Sequence, residues 1–103
     1  MFAGFVQLGS TITGAVLTRN ASTQVPTDAA SPPTFRIYGP SGLMANGTGT
    51  ASLLDSSNTD GLYSWSYTPA GANGFAAGVT YTILFQYTVS AVVQAQIVTF
   101  TVT

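Results

Sequence analysis

Strict alternation of side-chain character over Val79–Val89 constrains the fold of this chain more than any other stretch. Residues of one parity are large and apolar, namely Tyr81, Ile83, Phe85, Tyr87 and Val89. Residues of the other parity are Thr and Gln, interrupted only by Leu84. Because successive side chains of a β-strand point to opposite faces, this pattern predicts a strand with one apolar and one polar face. A second layer must cover the apolar face, so the pattern predicts a β-sandwich.

The rest of the chain repeats this organisation in shorter segments. Turn-forming residues separate them, and no helical period occurs. Together with Val79–Val89, they predict an all-β, two-sheet, immunoglobulin-like sandwich of about seven strands in one domain, residues 1–103. The other six predicted strands are Phe2–Leu8, Thr11–Thr18, Thr34–Tyr38, Leu43–Leu54, Leu62–Pro69 and Val92–Val102.

Four details of this arrangement are also predicted. Phe2, Val6 and Leu8 share one side of the first strand. Gly14, inside the second strand, marks a bulge or a close backbone approach. Phe75 is expected under the sheet edge. Tyr81 begins its strand after a glycine, which resembles the tyrosine corner of sandwich folds.

The segment 19–33 is the longest irregular stretch and contains Pro26, Pro32 and Pro33. Proline lacks a backbone N–H and disfavours central strands, so an extended loop is predicted. Loops of this length often make functional contacts. The simpler interpretation, which we favour, is a crossover from one sheet to the other.

Charge is unusually scarce. Only 5% of residues are charged, compared with about 25% in typical domains. Either neighbouring chains cover much of the surface, or a Thr/Ser/Asn/Gly surface stays soluble without charge, as in many extracellular and virion β-proteins. A net charge of -1 provides no basic patch for nucleic acid. No apolar run is long enough to span a bilayer, and residues 1–10 do not resemble a secretory signal.

The inventory of reactive side chains argues against catalysis. The chain contains no His, Cys, Glu or Lys, so a nucleophilic Ser or Thr would have no general base. No glycine-rich phosphate-binding motif occurs. We therefore predict no catalytic, cofactor-binding or metal-binding residues, no cofactor and no enzymatic activity.

Two clusters of residues suggest a binding function as an alternative to a purely structural role. Asp55, Ser57, Asn58 and Asp60 could offer oxygen ligands to calcium, but turn formation is the commoner role of such residues. Tyr63, Trp65 and Tyr67 share one face of a strand and could stack on sugar rings. The Ser residues between them suit solvent, so we expect this aromatic row to lie in the core.

Several motifs together resemble a known class of protein. They are P-P-T-F-R-I-Y-G-P-S-G at 32–42, T-D-G-L-Y-S-W-S-Y at 59–67, F-A-A-G-V-T-Y-T-I at 75–83 and T-F-T-V-T at 99–103. This combination resembles small immunoglobulin-like sandwich accessory proteins of tailed bacteriophage virions, such as capsid decoration proteins and tail or fibre domains. The resemblance covers residues 32–103 and implies a fold rather than functional residues.

These observations support an expectation about function. The first hypothesis is a non-enzymatic capsid decoration or cement subunit that binds neighbouring chains through neutral polar strand faces and the extended loop. Its partners would be a major capsid or other virion protein, or copies of itself in a homo-oligomer or larger assembly, with neither nucleic acid nor membrane involved. The alternative is an adhesion or glycan-binding module of a tail fibre or bacterial surface protein, located outside the cell.

Overall fold

The computed structural model describes residues 1–54 and 60–103, and within them the chain forms eight strands and one short 3₁₀ turn, Gly71–Asn73. The strands are β1 (Phe2–Val6), β2 (Ile12–Leu17), β3 (Thr34–Gly39), β4 (Gly42–Thr50), β5 (Ser52–Leu53), β6 (Leu62–Tyr67), β7 (Thr80–Val89) and β8 (Val92–Val102).

The strands form two sheets. One has five strands in the order β1-β8-β7-β3-β4, and the other has three in the order β2-β6-β5. All neighbours are antiparallel except β1, which runs parallel to β8. Buried residues from both sheets form one hydrophobic cluster between the layers. The predicted all-β, two-layer architecture is confirmed.

Strand β7 lies in the middle of the five-stranded sheet, and its predicted alternation is confirmed. Ile83, Phe85 and Val89 are completely buried, whereas Thr80 and Gln86 are exposed. β7 pairs with β8 over its whole length and with β3 over half of it. A central strand satisfies backbone groups on both sides, which suits the most apolar segment of the chain.

Aromatic rings join the two sheets. The Trp65 ring centroid of β6 lies 5.6 Å from that of Phe85 and 6.4 Å from that of Phe35. Gly14 makes room for the indole, because a Cβ at this position would lie 2.7 Å from the Trp65 ring. The close approach predicted at Gly14 therefore occurs, but the Trp65 side chain makes it rather than another backbone segment, and no bulge is present in the β2–β6 ladder. Phe75 is also buried as predicted, with its ring centroid 4.7 Å from that of Tyr81.

The predicted strand 43–54 is divided between the two sheets. Its first part is β4, at the edge of the five-stranded sheet, and its last part is β5, which pairs with β6. Ala51 lies between them, buried, and its N–H donates to the carbonyl of Pro33 at 2.8 Å. The change of sheet raises the count from about seven predicted strands to eight. Glycine and threonine in this segment gave no periodicity that could reveal the break.

The predicted shared side of Phe2, Val6 and Leu8 is wrong. A bulge between Phe2 and Gly4 inserts one extra residue relative to β8, and Gly4 has φ 118°. An inserted residue reverses the alternation, so only Val6 faces the core. Phe2 and Phe5 point to the opposite side, and Leu8 follows the end of the strand.

The loop 19–33 is a crossover from the small sheet to the large one, as the simpler interpretation predicted. Its ends belong to β2 and β3, and hydrogen bonds hold its second half against the sandwich. The N–H of Ala29 donates to the hydroxyl of Tyr63 at 3.1 Å, and that of Ala30 donates to the carbonyl of Thr88 at 2.8 Å. The Asp28 carboxylate accepts the N–H of Gly61 at 2.6 Å.

We expect Phe85→Ala to lower the free energy of unfolding by about 3–5 kcal/mol, because it leaves a cavity between the sheets. Trp65→Ala should cost a similar amount. Thr82→Ala, on the opposite face of β7, is the control and should cost less than about 1 kcal/mol. Urea denaturation measures all three variants. Equal losses for Phe85→Ala and Thr82→Ala would contradict the assigned faces.

Gly14→Ala should cost about 1–3 kcal/mol, because its methyl group would displace the Trp65 ring. Gly71→Ala is the matched control, since the nearest atom to its Cβ is Leu8 Cδ2 at 3.8 Å. The control should not destabilise the fold. Thermal unfolding of both variants, followed by the fluorescence of Trp65, provides the comparison. A tolerated Gly14→Ala would mean that the indole does not rest on this strand.

Candidate interaction surface

Because side chains alternate along its strands, the five-stranded sheet has a second surface on the side opposite the core, which we call the outer face. It consists of the side chains that point away from the core, as the cross-strand register defines them. Residues of the outer face are Phe2 and Phe5 of β1; Thr34, Arg36 and Tyr38 of β3; Leu43, Thr48 and Thr50 of β4; Thr80, Thr82, Leu84, Gln86 and Thr88 of β7; and Val93, Ala95, Ile97, Thr99 and Thr101 of β8.

The outer face is more apolar than an ordinary solvent-facing sheet. Val93 is 75% exposed, Phe5 71% and Ile97 56%. Ile97 lies directly opposite Leu84 in the β7–β8 ladder, at the middle of the sheet. Scattered exposed apolar residues are normal, but apolar side chains gathered on one face indicate a binding surface.

Two phenyl rings occupy the β1 edge of the outer face. The rings of Phe2 and Phe5 are 5.3 Å apart and nearly perpendicular, at 75°. Edge-to-face contact is a favourable arrangement for an aromatic pair. The bulge that reversed the alternation of β1 is what places both rings on this face rather than one in the core.

Arg36 carries the single charge of the outer face. It lies in β3 in register with Thr48 on one side and Leu84 on the other. Within residues 1–54 and 60–103, its guanidinium makes no ion pair. The remaining polar groups of the face are uncharged, as shown by the hydroxyls of Thr80 and Thr101, which are 2.8 Å apart. A partner surface would therefore meet methyl, phenyl and hydroxyl groups and one guanidinium.

The outward face of the three-stranded sheet is different. A shallow depression on this face is lined mainly by small polar side chains. Thr13 and Ala15 come from β2, and Ser64 and Ser66 come from β6. These residues present little apolar area, so the two faces of the molecule differ in their capacity to bind another protein.

The aromatic row predicted on β6 lies mostly in the core. Tyr63 and Trp65 are buried, which leaves no flat aromatic platform for sugar rings. Tyr67 is half-buried, and its hydroxyl donates to the carbonyl of Asn46 at 3.1 Å. Burial raises the pKa of the Tyr67 phenol above its ordinary value.

The possible calcium ligands cannot be compared with the structure as a set. Asp55, Ser57 and Asn58 lie outside the described residues, and Asp60 is exposed. In the described part of the chain, no three His, Cys, Asp or Glu side chains come together as metal ligands would.

Sequence reasoning found the polar part of the outer face that β7 contributes. It identified Thr80, Thr82, Gln86 and Thr88 as a polar, uncharged strand face, and their outward direction is confirmed. It missed the apolar contribution of β1 and β8. The parity of Val93 and Ile97, opposite to that of buried Val98, was a signal that could have revealed β8. Gly4 was the available signal for the bulge in β1, because an isolated glycine inside a strand often marks a bulge.

Comparisons with family models, curated proteins and solved structures found no match for this chain. Within the described residues, no helix is long and apolar enough to cross a membrane.

The raised pKa of Tyr67 has a measurable consequence at high pH. Folding favours the neutral phenol. The stabilisation of the folded state that results is complete below the ordinary pKa of about 10 and is lost as the pH rises beyond it. We expect the stability of the wild-type protein to fall relative to that of Tyr67→Phe between pH 9 and 11. Urea denaturation across this range measures the difference. A difference independent of pH would contradict the shift.

Proposed function

We propose that this protein is a non-enzymatic structural protein whose outer face binds neighbouring protein chains. The observation that carries the proposal is the concentration of exposed apolar side chains on an almost uncharged sheet face, exemplified by Phe5, Val93 and Ile97. A surface of this composition loses unfavourable hydration when another protein covers it, with no charges to desolvate except that of Arg36.

Within this role, we propose a capsid decoration or cement subunit of a virus particle, with the major capsid protein, another virion protein or further copies of the chain as neighbours. The proposal rests on the resemblance of residues 32–103 to phage accessory proteins and on the scarcity of charge. Lys and Glu normally keep lone domains soluble and protect sheet edges. Their absence is understandable if neighbouring chains cover the surface of this protein in its assembly.

We further propose that the sandwich is immunoglobulin-like. The order β1-β8-β7-β3-β4 facing β2-β6-β5 supports this topology. So does the start of β7, where the hydroxyl of Tyr81 accepts the N–H of Ala76, five residues upstream, at 2.9 Å. A hydrogen bond between the hydroxyl of a tyrosine near the start of a strand and the backbone a few residues upstream is characteristic of a tyrosine corner.

Two further features could add contacts to neighbouring chains. Among the described strands, β4 is an edge without charge or proline, so its outward backbone groups are suited to strand addition. The first half of the crossover is exposed, with Val25 at 56%, and closes on itself through a hydrogen bond from Arg19 Nη1 to the carbonyl of Gln24 at 2.9 Å. A preformed loop of this kind loses little conformational entropy when it binds.

The alternative function, an adhesion or glycan-binding module, has less support. The aromatic row that the sequence offered for this role is mostly in the core, since both Tyr63 and Trp65 are buried. The resemblance to tail and fibre domains is its remaining basis.

A rebinding experiment tests the proposed function. Source particles depleted of the protein by mild denaturant are mixed with purified wild-type protein, Ile97→Glu or Ser64→Glu. Wild type and Ser64→Glu should rebind to saturation, and Ile97→Glu should lose at least about tenfold in affinity, since a buried carboxylate costs more than 1.4 kcal/mol. Circular dichroism checks that both variants are folded.

The location of the protein in the particle separates the two functions. A capsid subunit should be present in a fixed ratio to the major capsid protein, and antibodies should label the capsid shell. Labelling confined to tail fibres or to a cell surface, together with glycan-array binding, would replace the first proposal by the alternative. Equal rebinding of Ile97→Glu and wild type would exclude the outer face as the site of attachment.

A further inference from the structure

We infer that one occupant of the outer face is a second copy of this chain, bound face to face about a two-fold axis that runs along the strands between β7 and β8. This inference rests on the proposed function in one respect, namely that the outer face is a binding surface. It goes further in naming the partner and the arrangement.

The overlap of the two outer faces has the area of a small specific interface. An axis between β7 and β8 places four strands of each copy over the other and leaves β4 uncovered. Four strands spaced about 4.8 Å apart are about 19 Å wide, and strands averaging about eight residues are about 27 Å long. The projected area is then about 500 Å² on each copy, or about 1,000 Å² in total, which is the lower limit for a specific interface. Side chains that project from the sheet make the contact area larger than this planar estimate.

The centre of the face is complementary to itself. A two-fold axis between β7 and β8 places β7 of one copy over β8 of the other, because these strands are neighbours at the middle of the sheet. Leu84 and Ile97 are cross-strand partners at this position. Leu84 of each copy then packs against the partner's Ile97, and a four-residue apolar centre forms.

The same axis brings the arginine of the outer face near the aromatic edge. In the strand order, β3 lies one strand beyond β7, and β1 lies one strand beyond β8, so the operation places β3 of one copy over β1 of the other. Because the axis runs along the strands, Arg36 keeps the level of Leu84 and Ile97. Phe2, in register with Thr99, is then the nearest outward ring, about 7 Å along the strand and within reach of the long arginine side chain. A guanidinium over a phenyl ring gains cation–π attraction. Symmetry produces this contact twice.

Repulsion between the two Arg36 side chains does not oppose the dimer. In this arrangement the two β3 strands are separated by three strand spacings, about 14 Å, which is longer than the Debye length of about 8 Å at physiological salt. The net charge of each copy is only -1. Neither of the described carboxylates, Asp28 and Asp60, lies on the outer face, so aromatic contact is what the chain itself can offer to Arg36.

Sedimentation equilibrium of the purified protein tests this inference. We expect the wild type to dimerise at micromolar to tens-of-micromolar concentrations and Ile97→Glu to raise the dissociation constant at least about tenfold. Ser64→Glu, on the other sheet, is the matched control and should leave the dissociation constant unchanged. Circular dichroism confirms that each variant retains the β fold.

A double-mutant cycle tests the predicted contact between Arg36 and the rings. Arg36→Gln and Phe2→Leu should each weaken the dimer by about two- to fivefold, and the double variant should be no weaker than the worse single variant. Fully additive effects would show that the two residues do not meet, which would overturn the placement of the axis.

Three outcomes separate this inference from the proposed function. A wild-type protein that is monomeric at several hundred micromolar and still rebinds to depleted particles overturns the dimer alone. A dimer that fails to rebind overturns the proposed function alone. Association that persists in Ile97→Glu but is lost when Thr48, at the β4 edge, is replaced by proline would assign the contact to strand addition and overturn the face-to-face arrangement.

Discussion

Interdigitation of aromatic rings between the two sheets is the interaction on which the rest of the structure depends. Trp65 of the small sheet lies against Phe35 and Phe85 of the large one, with centroid distances of 6.4 and 5.6 Å. The chain has no cysteine, and no ion pair occurs between described residues, so apolar burial must offset most of the conformational entropy lost on folding. Gly14 is part of this interaction because its missing side chain is the space that the indole fills.

Neutral hydrogen bonds then fix how the layers and the crossover meet. Gln96 Nε2 of the large sheet donates to the carbonyl of Leu17 in the small sheet and to the hydroxyl of Tyr87, both at 2.7 Å. Thr18, completely buried, donates to the carbonyls of Thr27 and Gly61. Buried polar groups require such partners, and amide and hydroxyl groups meet the requirement without the desolvation cost of ions. The use of neutral hydrogen-bonding groups explains how a sandwich can be built with so little charge.

The same geometry leaves the candidate site on a sheet face rather than in a cleft. Residues of one parity fill the core, so residues of the other parity along five strands are free to meet a partner. Ile97 and Leu84 belong to this second set, as do the threonines around them. A flat, neutral surface of this kind suits contact with another protein.

The sequence by itself determined the local pattern: the buried parity of β7, the burial of Tyr63, Trp65 and Phe75, and the close approach at Gly14. These follow from alternation and residue size, which act within one strand. Only the tertiary structure decided that Ala51 separates two strands of different sheets, that a bulge turns Phe2 and Phe5 outward, and that Ile97 joins them on one face. Each of these depends on register between strands distant in sequence, and a shift of one residue exchanges buried and exposed sides without altering the local pattern.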